Sequence, residues 1–163
     1  MNNISIKLIE DVNDPLLIQV EQLFQQMYEQ IAQHLPDQAL KIPLIRGGAE
    51  LWLEGVKKMI NRLGIVIVAT RDNVVIGFIN GIIHFTPDYL GDLKVGSIAN
   101  IFVVSGTRRA GVGFYLVQEL EQWFKSKNVH SISLQAIYEN TPGIGFWQRC
   151  GYIEEVLQFR KIV

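Results

Sequence analysis

The chain has 163 residues, 48% apolar and 19% charged, with a formal net charge of −1. Length and composition fit one globular domain with a sizeable core and exclude a disordered chain. The near-balanced charge gives no electrostatic basis for binding nucleic acid or a membrane surface. Cys150 is the single cysteine, so no internal disulfide can form. The amino terminus MNNISIKLIEDVND shows no basic region leading into an apolar stretch, and no apolar run reaches the ~18 residues of a membrane span. The expectation is a cytoplasmic protein with one domain over residues 1–163.

Ile4 to Ile9 alternates and predicts a first strand. Asp14 is placed to N-cap a helix with Pro15 at its first position. Leu16, Val20, Leu23, Phe24, Met27, Tyr28, Ile31 and Leu35 then recur at helical spacing until Pro36. HLPDQALKIPLIRGG reads as a loop, and a second helix is predicted over Ala49 to Leu63 with Gly64 just beyond. Ile65 to Thr70 and Val74 to Phe85 form a hairpin about Asp72-Asn73. A further strand over Leu93 to Val104, a helix over Gly111 to Lys127 and a strand over His130 to Ile137 follow. Then come a short helix over Pro142 to Cys150 and a last strand over Tyr152 to Val163. Three successive strands without helices imply an antiparallel meander, and the strand-helix-strand unit after them implies one parallel pair. The fold class expected is α+β, a three-layer α/β/α sandwich on a mostly antiparallel mixed sheet.

The segment Arg108-Arg-Ala-Gly111-Val-Gly113 joins a strand to a helix. Its glycines let backbone come close to a ligand, and the helix start leaves amides free under a partial positive charge. An anion fits there, phosphate above all, with Arg108 and Arg109 adding charge and donors. The segment is not a P-loop, since no Gly-Lys dipeptide exists, and it is not a dinucleotide fingerprint, since Leu116 stands where the third glycine belongs. The competing reading is a turn whose glycines only permit tight packing.

Arg108-x-x-Gly111-x-Gly113 resembles the [QR]-x-x-G-x-[GA] segment of the GNAT superfamily of acyl-CoA-dependent N-acyltransferases. Asn140-Thr-Pro-Gly143-Ile-Gly-Phe146-Trp147-Gln-Arg-Cys-Gly151-Tyr152 is similar to that family's N-x-x-A-x-x-F-Y-x-x-x-G-F stretch. The resemblance covers about Ile65 to Tyr152 and implies acetyl-CoA as the acyl donor, a parallel strand pair at the CoA site, and no metal. It also implies that backbone amides of Arg108, Arg109, Ala110, Gly111, Val112 and Gly113 wrap the pyrophosphate. Ile101, Phe102 and Val103 would pair with the pantetheine arm, and Asn140 and Phe146 would border the cofactor. Asn140 equally fits an Asx turn or N-cap before Pro142.

The family's usual acid and base positions hold Trp147 and, on the strand, Ala99 and Asn100, none of which titrates usefully at neutral pH. Three readings follow. Positioning supplies most of the acceleration; or Tyr138, Glu139, Tyr152 or His84 substitutes; or the domain binds acyl-CoA without transfer. Backbone N–H of Phe102 or Val103 is available to polarise the thioester carbonyl. His84, among Ile82, Ile83 and Phe85, also fits a half-buried structural role. The resemblance implies an acceptor side around Met27, Tyr28, Glu29, His34, Arg46-Gly47-Gly48 and Trp52, and no acidic cluster marks a polyamine or aminoglycoside pocket. The expected activity is acetyl transfer to a small-molecule primary amine, the alternatives being a protein or peptide amine and a non-catalytic acyl-CoA-binding domain. The tail is short for the final pair of strands that the resemblance implies, so either a very tight hairpin forms or one strand is missing and an exposed edge pairs with another subunit, which favours a homodimer.

Overall fold

Five strands and four helices make up the chain in the computed structural model, which describes residues 4–34 (for His34 the backbone alone), 43–108, 110–161 and 163. They are β1 (Ile4–Ile9), α1 (Leu16–His34), α2 (Gly48–Met59), β2 (Gly64–Arg71), β3 (Val74–Phe85), β4 (Lys94–Val103), α3 (Val112–Ser126), β5 (Ile132–Leu134) and α4 (Thr141–Arg149). The sheet runs in sequence order, antiparallel from β1 to β4 and parallel between β4 and β5. This is the mixed α+β architecture expected.

β2 shows why the sheet carries helices on both faces. Its side chains alternate and nearly all are buried, so each face needs an apolar cover. Val66 and Val68 join Phe78, Phe102 and the inner faces of α1 and α2 in one core cluster. Ile65, Ile67 and Ala69 join Ile79, Ile98 and the apolar stripe of α3, Leu116, Leu120 and Phe124, in the other. At Gly81 and Gly96 an added Cβ would lie 2.6 Å from Leu120 Cδ1 and 2.7 Å from Phe124 Cε1, so these strands have no side chain where α3 presses closest.

Asp14 caps α1 by accepting a bond from the Leu16 amide (2.9 Å). The β2–β3 hairpin turns through Asp72 and Asn73, both at positive φ, as the two-residue turn requires. α2 ends at Met59, earlier than the predicted Leu63, because Ile60 turns extended (ψ 136°) and Asn61 takes a left-handed conformation. β5 is shorter than predicted: it pairs only Ile132, Ser133 and Leu134 with Gly96, Ser97 and Ile98. Beyond that the two strands part.

The last predicted strand is overturned. From Tyr152 on, the described residues form no strand, and none of their amides or carbonyls enters a backbone hydrogen bond after the Tyr152 N–H to Trp147. A strand exists only by pairing with a neighbour. Within the described residues this tail has none. The Leu35–Pro36 helix stop lies outside the described residues.

Candidate active site

β4 sets the site. The Val104 N–H donates to Ile76 O (3.0 Å), and Gly77 lies opposite Val103. In an antiparallel ladder that makes Gly77–Val103 a non-hydrogen-bonded pair, so Val103 and, two residues back, Ile101 turn N–H and C=O away from β3. They face the gap that opens once β5 has left at Ile98. Phe102 is the opposite case: its backbone bonds into β3, so its amide does not serve a ligand in the gap, contrary to expectation. The β3–β4 register slips between Asn80 and Gly81, which oppose Asn100 and Ile98 and leave Ala99 as the bulged residue.

Past Val103 the chain makes a 3-10 turn, Ser105–Thr107, and enters α3 through Gly111, which holds φ 77° and ψ 1° at the N-cap. Only glycine takes that conformation without strain. The first bond of the helix is Tyr115 N–H to Gly111 O (3.0 Å), and no acidic side chain stands in the first turn. Val112, Gly113 and Phe114 therefore present amides with no intrahelical acceptor, at the positive end of a 15-residue helix. Gly113 has a second duty: a Cβ there would sit 3.3 Å from Phe146 Cζ, so α4 docks onto α3 at this point.

Arg108 braces the loop. Its Nε donates to Val103 O (2.9 Å), its Nη2 donates to Gln30 Oε1 on α1 (2.8 Å), and the guanidinium lies 5.7 Å from the Phe102 ring centroid. The guanidinium keeps further N–H groups for an anion. Arg109 and the His34 side chain lie outside the described residues. The Asn140 carboxamide oxygen accepts from Gly143 N–H (3.3 Å) and N-caps α4, with Pro142 in the first turn. Trp147 is a packing residue, edge-on to both Phe146 and Tyr152.

The catalytic candidates do not converge. Tyr138 is 75% exposed. His84 is exposed rather than half-buried, with Nδ1 3.4 Å from Ser97 Oγ. Tyr152 donates its phenolic hydrogen to Glu121 (3.0 Å), and burial beside that carboxylate pushes its pKa well up. Burial likewise pushes the Cys150 thiol up, with Glu121 adding to it, so it is not a ready nucleophile.

On the acceptor side, Tyr28 packs its ring 5.0 Å from Phe24, and Trp52 stacks on Phe24 at 3.9 Å. Trp52 also lines a cavity of about 280 Å³ between α2 and the β3–β4 bulge, where Asn80 and Ala99 meet Leu51 and Gly55. Glu29 is elsewhere. It borders a cavity of about 380 Å³ between α1 and the start of α2, together with Glu21 and Glu50, and no β4 residue lines it. The structure thus brings together an acidic group that the linear sequence did not reveal.

Sequence reasoning missed Asn80, Gly55 and the bulge at Ala99. Asn80 is 2% exposed, and its Oδ1 accepts from Asn100 Nδ2 (3.0 Å). An asparagine followed by glycine inside the apolar run VVIGFINGIIHF was the available signal, since neither residue belongs in an ordinary central strand.

The sequence profile of the Acetyltransferase (GNAT) family matches residues 19–152. A search of curated protein sequences finds no match. Among solved structures, the chain is similar to an aminoglycoside acetyltransferase from an uncultured soil metagenomic sample in complex with trehalose. Identity is 21% over 98% of this chain and 96% of that one, at a TM-score of 0.72. It is similar to an aminoglycoside N-acetyltransferase in complex with CoA, at 21% identity over 99% and 96% of the two chains and a TM-score of 0.74. A variant of a Bacillus halodurans protein gives 16% identity over 98% and 99%, with a TM-score of 0.77. At such identities the likeness is one of fold.

Proposed function

The chain belongs to the GNAT acetyltransferase family, and on that premise we propose that it moves the acetyl group of acetyl-CoA to a primary amine of a small molecule. One observation carries the reading: left-handed Gly111 opens the unpartnered, acid-free first turn of α3 at the end of β4, beside the gap left by β5. The diphosphate of CoA rests on those amides, and the pantetheine arm pairs with the outward edge of Ile101 and Val103. Its acetyl end then reaches the bulge at Ala99. The amine nitrogen bonds to the thioester carbon, the carbon–sulfur bond breaks, and the amine proton leaves with water or the thiolate.

No titrating side chain stands at Ala99, Asn100 or Trp147. We assign the acceleration to alignment, with the Ile101 amide, next outward-facing after the bulge, polarising the carbonyl. Tyr138→Phe tests this. A general acid is worth about 10²–10⁴-fold, so a loss under about tenfold supports alignment and a larger one overturns it. The missing base also favours a second reading, an acyl-CoA-binding domain without transfer. Thiol release from acetyl-CoA over a panel of amines and peptides decides: tight CoA binding without release on any of them sinks the transferase.

We further propose that the protein works as a homodimer, in which the tail of one subunit adds to the open edge of β5 in the other. The tail leaves Ile153, Val156, Leu157 and Phe159 between 67% and 89% exposed. Among the described residues β5 has a partner on one side only. Sedimentation should show a dimer that Leu157→Glu with Phe159→Glu converts to monomer, and a dimer indifferent to those changes overturns the pairing. Among the described residues no helix is long and apolar enough to cross a membrane. With a lone free cysteine, we place the protein in the cytoplasm.

A further inference from the structure

We infer that the acceptor is an apolar primary amine, of the arylalkyl or alkyl kind, seated in the cavity between α2 and the bulge of β4. The inference rests on the transfer reading above and adds the substrate class.

Position comes first. The cavity ends on Ala99, the residue extruded where β4 slips against β3, one step beyond the last residue that β5 pairs. An amine entering here meets the acetyl end of a donor aligned along Ile101 and Val103.

Chemistry comes second. Its volume is about 280 Å³, just below the ~300–1,000 Å³ typical of ligand sites. Among the described residues none of its lining groups is charged, and the polar side chain in it is Asn80, held by Asn100. The cavity is half open, with Leu51, Gly55 and Ala99 exposed at its rim. An ammonium seated against its apolar wall would give up part of its water and gain no carboxylate, so the cavity favours the neutral amine. That form is the nucleophile. A cavity that selects it takes over what a base at Ala99 would have done. A polycation would find no carboxylate here for its further ammonium groups, and its natural seat is the carboxylate-lined cavity between α1 and α2, away from β4.

The third observation is Gly55. It lies inside α2, where glycine weakens a helix, without the positive φ that would call for it. A Cβ at this position would meet nothing within 4 Å, so packing does not demand glycine either. What the missing side chain leaves is room, one turn from Leu51 and beside Trp52.

The test measures thiol release from acetyl-CoA with 2-phenylethylamine and hexylamine against spermidine and an aminoglycoside. It is repeated for Gly55→Ala and Gly55→Phe, with CoA affinity by calorimetry and melting temperature alongside. The expected result is at least a hundredfold higher kcat/KM for the two apolar amines. Gly55→Phe should lower their kcat/KM more than tenfold through KM, with CoA affinity unchanged and melting no lower than wild type, and Gly55→Ala should stay near wild type. Faster acetylation of spermidine or the aminoglycoside overturns the inference and leaves the transferase standing. So does a Gly55→Phe variant that folds and matches Gly55→Ala. No release with any amine overturns the transfer reading and this one with it.

Discussion

Replacing Gly111 by Ala isolates the backbone geometry on which the donor site depends. The residue holds φ 77°, a left-handed conformation that costs an L-residue about 1–2 kcal/mol. The new Cβ would lie 3.3 Å from Tyr115 Cε2. Tyr115 is 54% exposed, so its ring can swing aside and this contact adds little. In a chain of this size each kcal/mol moves the melting temperature by about 2–4 °C, which gives a drop of about 2–8 °C. If the loop instead relieves the strain by leaving this conformation, the first-turn amides of α3 are re-aimed. CoA affinity then falls by the same free energy, about 5- to 30-fold. Gly106 supplies the control: it lies in the same connection, has ordinary φ, and its added Cβ meets nothing within 4 Å. Calorimetric titration with CoA and thermal melts of Gly111→Ala and Gly106→Ala make the comparison. If the two variants bind and melt alike, the cradle is not built by the left-handed glycine.

Gly96→Ala places a methyl 2.7 Å from Phe124, and overpacking of this kind costs about 1–3 kcal/mol. Denaturant melts should show that loss, and Phe124→Leu in the same chain should recover part of it. Asn80→Ala leaves the Asn100 amide without its acceptor, a cost of about 1–3 kcal/mol, and the same change at exposed Asn13, which holds an ordinary φ, should cost far less. Asp14 carries the pH prediction. The Lys7 hydrogen bond holds its carboxyl below the usual range, burial opposes this and the Leu16 amide adds to it. A depressed folded pKa stabilises above the unfolded value of about 3.9 and is lost as pH falls through the folded one. Asp14→Asn should therefore be less stable than wild type at pH 7, and urea melts should show the gap closing below about pH 4.

The elements that read clearly in the sequence are those whose own residues decide them. β3 runs from Val74 to Phe85 as predicted, because a two-residue Asp72-Asn73 turn and an unbroken apolar run leave little choice. α1 and α3 follow from stripes repeated over several turns. The proposed donor site could be read for the same reason: it is one contiguous stretch in which glycines and a helix start set the backbone locally. The tail was misread because Leu157-Gln-Phe159-Arg alternates as a strand should, yet alternation provides no partner to bond with.

What the amino-acid order determined by itself is therefore local: where helices start, where chains turn, which face of each strand is apolar, and that amides gather at Gly111. What only the folded chain decided is how distant residues meet. Asn80 lies 20 positions from Asn100, the bulge at Ala99 is defined by a strand it is not part of, and the cavity proposed for the acceptor needs α2 across from both. Three glutamates spread from Glu21 to Glu50 likewise become a group only when α2 is laid beside α1. Backbone preferences act over a few residues, whereas register and cavity shape come from packing two apolar faces against shared helices. That is why the proposed donor half of the site can be read along the chain, and the proposed acceptor half only across it.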